Sequence, residues 1–168
     1  GFIGRNFAPK GFVVVNVGYR LLPEGKYPAM LADSAAALRW TTQNIAKYGG
    51  DPERIYLMGH SMGGGGTLHL GMKYPKRWAA LAPIAPAIYR SSGGLTAIRH
   101  MPVIVVQGAK DRLVRASRTR KWIRKMKELG MTHKYVEYKD GGHIGPAFQG
   151  LPAIFEFFNT HAERRKKK

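Results

Sequence analysis

The chain has 168 residues, no cysteine, and 28 Lys and Arg against 10 Asp and Glu, a formal charge of +18. That length suits one domain with a real core, and zero cysteines exclude disulfides, thiolate metal sites and a cysteine nucleophile. They fit a reducing compartment without proving one. No apolar run approaches a membrane span, and no internal repeat or low-complexity linker marks a second domain. The expectation is one domain over residues 1–163 and a basic tail over 164–168. No signal peptide is visible, but the chain does not start with methionine and a missing start would hide one. Cytoplasmic and secreted locations both stay open.

In chain order, residues 12–17 (FVVVNV) read as a strand and 19–28 as a loop rich in turn formers. Pro28 leads into a helix over 30–47, with Leu31, Leu38 and Ile45 along one face, ended by Gly49-Gly50-Asp51-Pro52. A short apolar strand at 55–58 runs into Gly59-His60-Ser61-Met62-Gly63, and a helix opens at Gly64 and stops near Tyr74-Pro75. Strands follow at 79–84, 103–107 and 135–138, with helices at 114–129 and 152–162. Strands alternating with helices imply an α/β class. Its mainly parallel sheet would have about five strands with helices on both faces.

G-x-S-x-G between a strand and a helix has a steric cause. The serine sits in a strained turn, and the positions two away must be glycine to avoid a clash. The turn lifts Ser61 Oγ clear of the sheet and aims the Met62 amide where an oxyanion would form. A nucleophilic serine needs a base, and the base needs an orienting acid. His143 lies in Asp140-Gly141-Gly142-His143, directly after the strand at 135–138. Asp111 follows the strand at 103–107 through Gly108-Ala109-Lys110. Loops at strand ends are where an α/β sheet presents catalytic groups.

Rival readings attach to each. His60, inside the elbow, is expected to shape the turn rather than act as base. His69 falls on the helix after the elbow, and His100, His133 and His161 sit near element ends as surface or capping residues. Asp140 is too close in sequence to His143 to support it from another strand and belongs to the turn. Asp33 lies early in a helix, where the dipole accounts for a carboxylate.

The elbow, Gly108-Ala109-Lys110-Asp111-Arg112-Leu113-Val114 and Gly141-Gly142-His143 resemble the α/β-hydrolase superfamily, whose order of serine, acid and histidine they share. The stretch from Gly50 through Gly64 is similar, more narrowly, to esterases related to the prolyl-oligopeptidase and dienelactone-hydrolase groups. The likeness covers nearly the whole chain. It implies a reduced α/β-hydrolase fold, with Ser61 as nucleophile, His143 as general base and acid, Asp111 as orienter and Met62 as one oxyanion donor. No metal or organic cofactor is implied.

The front departs from that pattern. Such hydrolases place further strands and a His-Gly-Gly type loop before this point, so Gly1 reads as a remnant of that loop and the chain as a fragment or a reduced hydrolase. A second oxyanion donor would have to come from Gly1 or Phe2, and its loss costs about 100- to 1000-fold. The strand that the family places between 12–17 and the elbow strand is missing, which leaves exposed edges that invite a homodimer. The connection over 85–101 is short, suggesting an open site with Ile88, Tyr89, Ile144 and Phe148 either as apolar lining or as ordinary packing.

The implied activity is a serine carboxylic-ester hydrolase acting on short acyl or polymer-borne esters. Two alternatives are an amidase or peptidase of prolyl-oligopeptidase type and a weakly active scaffold that binds polyanions. Residues 110–127 hold nine Lys or Arg against Asp111 alone, and Arg164 through Lys168 add five. A solvated basic helix with a frayed tail explains them, as does attraction to an anionic surface. No recognised nucleic-acid motif accompanies the charge.

Overall fold

Apolar runs closed by glycine-rich turns become the strands of a parallel sheet. The computed structural model describes residues 2–25, 27–88 and 91–161, and the basic tail lies outside them. The chain divides into two compact units, Gly1–Glu53 and Arg54–Lys168.

The first unit holds helix α1 (Phe2–Phe7) and helix α2 (Tyr27–Asn44). A 3-10 turn, Ile45–Tyr48, extends α2 until Gly49, at φ 80°, turns the chain in the left-handed region that glycine enters without penalty. Residues 12–17 form no strand, so the five strands expected from sequence become four. The Val-rich run has strand propensity, yet it pairs with no strand among the described residues, and Val13, Val15 and Val17 stand exposed. β-propensity expresses fit to neighbouring strands rather than a preference of the isolated backbone. Asp33 also differs from expectation. It sits beyond the first turn of α2 and is held by Arg20, whose Nε and Nη2 donate to the carboxylate at 2.9 and 2.7 Å. That bidentate pair, rather than the helix dipole, accounts for it.

The second unit is a four-stranded sheet, β1 (Tyr56–His60), β2 (Ala80–Ile84), β3 (Val103–Gly108) and β4 (His133–Tyr138), all parallel and in that order. β2 and β3 are wholly buried and apolar but for Gln107, whereas β1 and β4 at the edges are half-buried. The register pairs His60 with Ile84, Ile84 with Val106, and Gly108 with Tyr138. All four strands therefore end at one edge, where a parallel sheet presents its functional loops.

Helix α3 (Met62–Lys73) follows β1, and α4 (Ala116–Glu128) follows β3. The short α5 (Gly145–Gln149) and then α6 (Leu151–Thr160) follow β4. A side chain at Gly59 would run into Gly63 and Thr67 of α3, while Tyr56 stacks on Phe158 of α6 with centroids 4.6 Å apart. Alternation along β1 puts positions 56 and 59 on opposite faces, so α3 and α6 cover the two sides of the sheet. Helix α4 buries Ala116, Thr119, Trp122 and Met126 and turns its cations outward, as an amphipathic helix must. Arg120 ties it to β4 by donating from Nε to Glu137 at 2.9 Å. The second half of the 85–101 connection forms a 3-10 helix, Ser92–Ile98, with Leu95 and Ile98 fully buried. It packs against α3 and α4.

Candidate active site

Ser61 stands between β1 and α3 at φ 56° and ψ −117°. An L-residue reaches that region at a cost of about 1–3 kcal/mol and stays there only where its surroundings over-determine it. They do. Its N–H donates to Ile84 O at 2.9 Å, and its carbonyl accepts from Gly65 N at 3.0 Å and Ala87 N at 2.9 Å. The glycines let these segments approach: a Cβ on Gly64 would lie 2.6 Å from Ile84 O, and one on Gly65 would overlap Ala87 O. Met62 opens α3, and the amides of a helix's first turn have no acceptor within the helix. They form a site suited to negative charge.

Asp111 and His143 converge on this serine. Ser61 Oγ lies 2.9 Å from His143 Nε2, and His143 Nδ1 lies 2.7 Å from Asp111 Oδ2. The carboxylate only accepts, so Nδ1 carries the proton and Nε2 is left to accept from the serine hydroxyl. The Asp111 side chain is fully shielded from water, and that of His143 is 15% exposed. Burial alone would raise the Asp111 carboxyl. The hydrogen bond to His143 and those from the Val114 and Leu113 amides outweigh burial and hold it below the usual carboxylate value. Those two amides donate to Oδ1 at 2.8 and 2.9 Å.

Two supporting residues escaped the sequence reading. Gln107, wholly buried at the end of β3, donates from Nε2 to Asp111 Oδ2 at 3.3 Å and Val114 O at 3.0 Å. Thr119 of α4 donates to Gln107 Oε1 at 2.8 Å. A lone glutamine in the run Val-Ile-Val-Val-Gln was the signal, because a buried amide must find partners. His60 closes β1, and its Nε2 donates to the main-chain carbonyl of His143 at 2.8 Å, so it does not reach toward Ser61 as a base.

The remaining candidates fall elsewhere. Asp140 pairs with Lys110 at 2.6 Å in an exposed turn. His100, His133 and His161 each donate to a backbone carbonyl, those of Pro75, Met131 and Phe157, near element ends. His69 lies on α3. Ile144 and Phe148 are exposed, Ile88 is half-buried, and Tyr89 and Gly1 lie outside the described residues. Met62 and Leu113, which flank Ser61 and Asp111, are exposed as well.

A family model described as the alpha/beta hydrolase fold matches residues 5–93. A carboxylesterase of Mycobacterium tuberculosis (strain CDC 1551 / Oshkosh) is 58% identical over 52 residues, 31% of this chain and 16% of that protein. The versiconal hemiacetal acetate esterase of Dothistroma septosporum is 44% identical over 64 residues, 38% of this chain and 20% of that protein. The matches therefore span a fifth or less of these two curated relatives. Among solved structures, a truncated form of a carbohydrate esterase from gut microbiota superposes with a TM-score of 0.80 at 18% identity, covering 95% of this chain and 78% of that one. With the family model spanning more than half of its length, this chain belongs to the alpha/beta hydrolase fold family.

Proposed function

We propose that this chain carries the catalytic groups of a serine carboxylic-ester hydrolase. His143 takes the Ser61 proton as Oγ attacks the acyl carbon, and the oxyanion meets the Met62 amide at the start of α3. His143 then protonates the leaving alcohol and activates the water that cleaves the acyl-enzyme, while Asp111 offsets the imidazolium charge. The observation that carries this reading is the hydrogen-bond chain from Asp111 through His143 to Ser61, at 2.7 and 2.9 Å, with the serine held in a strained elbow. The esterase names of the matched relatives support an ester substrate. Met62 next to Ser61 and Ile144 next to His143 are exposed and apolar, which suits a short acyl group.

The test is the hydrolysis rate of p-nitrophenyl acetate and butyrate by the parent chain and by Ser61→Ala. The parent turns both over, and Ser61→Ala falls to background, a loss on the order of 10⁶-fold. Equal rates from the two folded proteins would overturn the assignment.

A second reading concerns charge. Arg112, Arg115, Arg118, Lys121, Arg124 and Lys127 are exposed, and no ion pair among the described residues reaches them. This cationic face begins at the loop that holds Asp111 and raises the local concentration of anionic esters.

A further inference from the structure

Among the described residues, one hydrogen bond reaches the main chain of His143, and His60 makes it. His60 Nε2 lies 2.8 Å from the His143 carbonyl oxygen. A carbonyl only accepts, so Nε2 carries the proton in this contact. The two imidazole rings also pack together, with centroids 4.7 Å apart and planes tilted by 45°. The loop around His143 is otherwise tied at its shoulders. Lys110 N donates to Gly141 O at 2.9 Å, and Ala147 N donates to Ile144 O at 3.0 Å. Between those ties the chain runs Gly142-His143, and a Cβ on Gly142 would meet nothing within 4 Å. Gly142 confers backbone freedom next to His143, so the peptide of His143 gains from an anchor on another element. β1 supplies it, because His60 is its last residue and the neighbour of Ser61.

We infer that His60 is a positioning residue: it fixes the backbone of His143 so that the imidazole spans Ser61 and Asp111. This rests on the esterase reading above. Fixing the nucleophile and its base from adjacent residues of one strand end keeps their separation constant when the loop fluctuates. A misplacement of about 1 Å at such a base costs about 100-fold in rate. Asp111, itself held by Gln107, bonds the far side of the ring, and His60 holds the near side through the backbone.

Three variants separate positioning from bulk packing. The amide nitrogen of glutamine reaches about as far as histidine Nε2, whereas that of asparagine reaches only as far as Nδ1. His60→Gln keeps a donor for the carbonyl and is expected to retain kcat within about fivefold. His60→Asn and His60→Leu lose it, and their kcat falls about 10- to 100-fold with KM within twofold. The low-field proton signal of the His143 Nδ1–H bonded to Asp111 is sharp in the parent and in His60→Gln and broadens in His60→Leu. That signal does not depend on ester turnover. A chain with no esterase activity but a His60-dependent signal would sink the esterase reading and leave the positioning role standing. Equal loss in all three variants with unchanged thermal midpoints, or full kcat and a sharp signal in His60→Leu, would overturn the role of His60.

Discussion

Asp111 shows how much one buried carboxylate can be asked to do. It accepts from His143, Gln107 and the amides of Leu113 and Val114 together. Asp111→Asn replaces an acceptor with a group that also donates, so the amide turns the His143 tautomer the wrong way. We expect kcat for p-nitrophenyl acetate to drop about 10⁴-fold with the fold intact, as read by steady-state kinetics. Acid stability follows from the depressed carboxyls. Arg20, through its side-chain hydrogen bond and then its backbone one, lowers Asp33 from 3.8 to about 2. A lowered folded pKa contributes stability that is fully present above the unfolded value and is lost as pH falls through the folded one. Urea midpoints between pH 5 and pH 2 should therefore fall less for Asp33→Asn than for the parent. At this scale the sequence singled out Ser61, Asp111 and His143 by residue type and position, and the structure brings the three within hydrogen-bond reach. It was silent on His60 as an anchor, because a hydrogen bond to a carbonyl 83 residues away leaves no mark on the local pattern.

The elbow glycines look alike in sequence and differ in what surrounds them. A methyl group at Gly65 would overlap Ala87 O, whereas one at Gly66 meets nothing within 4 Å. Gly65→Ala should lower stability by about 1–3 kcal/mol, and Gly66→Ala, inside α3, should raise it by about 0.5–1 kcal/mol, both by urea unfolding. Thr119→Val removes the donor to Gln107 Oε1 and leaves that oxygen buried and unpaired. The expected loss is about 1–3 kcal/mol, with a fall in kcat because Gln107 also holds Asp111. Helix and strand boundaries inside the second unit lie within a few residues of those read from periodicity, since burial enforces the pattern there. Residues 12–17 failed that reading. Their run is nearly as apolar as that of β3, but a strand exists only where a ladder partner accepts its amides.

Charge belongs to the molecule as a whole. Six exposed cations between Arg112 and Lys127 lack an ion-pair partner among the described residues. Their field should lower KM for an anionic ester at low salt. Raising salt from about 10 mM to 1 M shortens the Debye length from about 30 Å to 3 Å. KM for the anionic ester should rise accordingly and KM for p-nitrophenyl acetate should stay flat, while equal behaviour of the two would remove any role for the cations. The sequence by itself determined the α/β class and the Gly59–Gly63 turn, and it singled out Ser61, Asp111 and His143 as candidates, because apolar periodicity, turn sterics and nucleophile chemistry are local or limit residue type. Only the tertiary structure decided the number of strands, the fate of 12–17, the Thr119–Gln107–Asp111 relay and the hold of His60 on His143. Each of those depends on which distant backbone or side chain arrives within hydrogen-bond reach, and that is set by packing rather than by any neighbour in the chain.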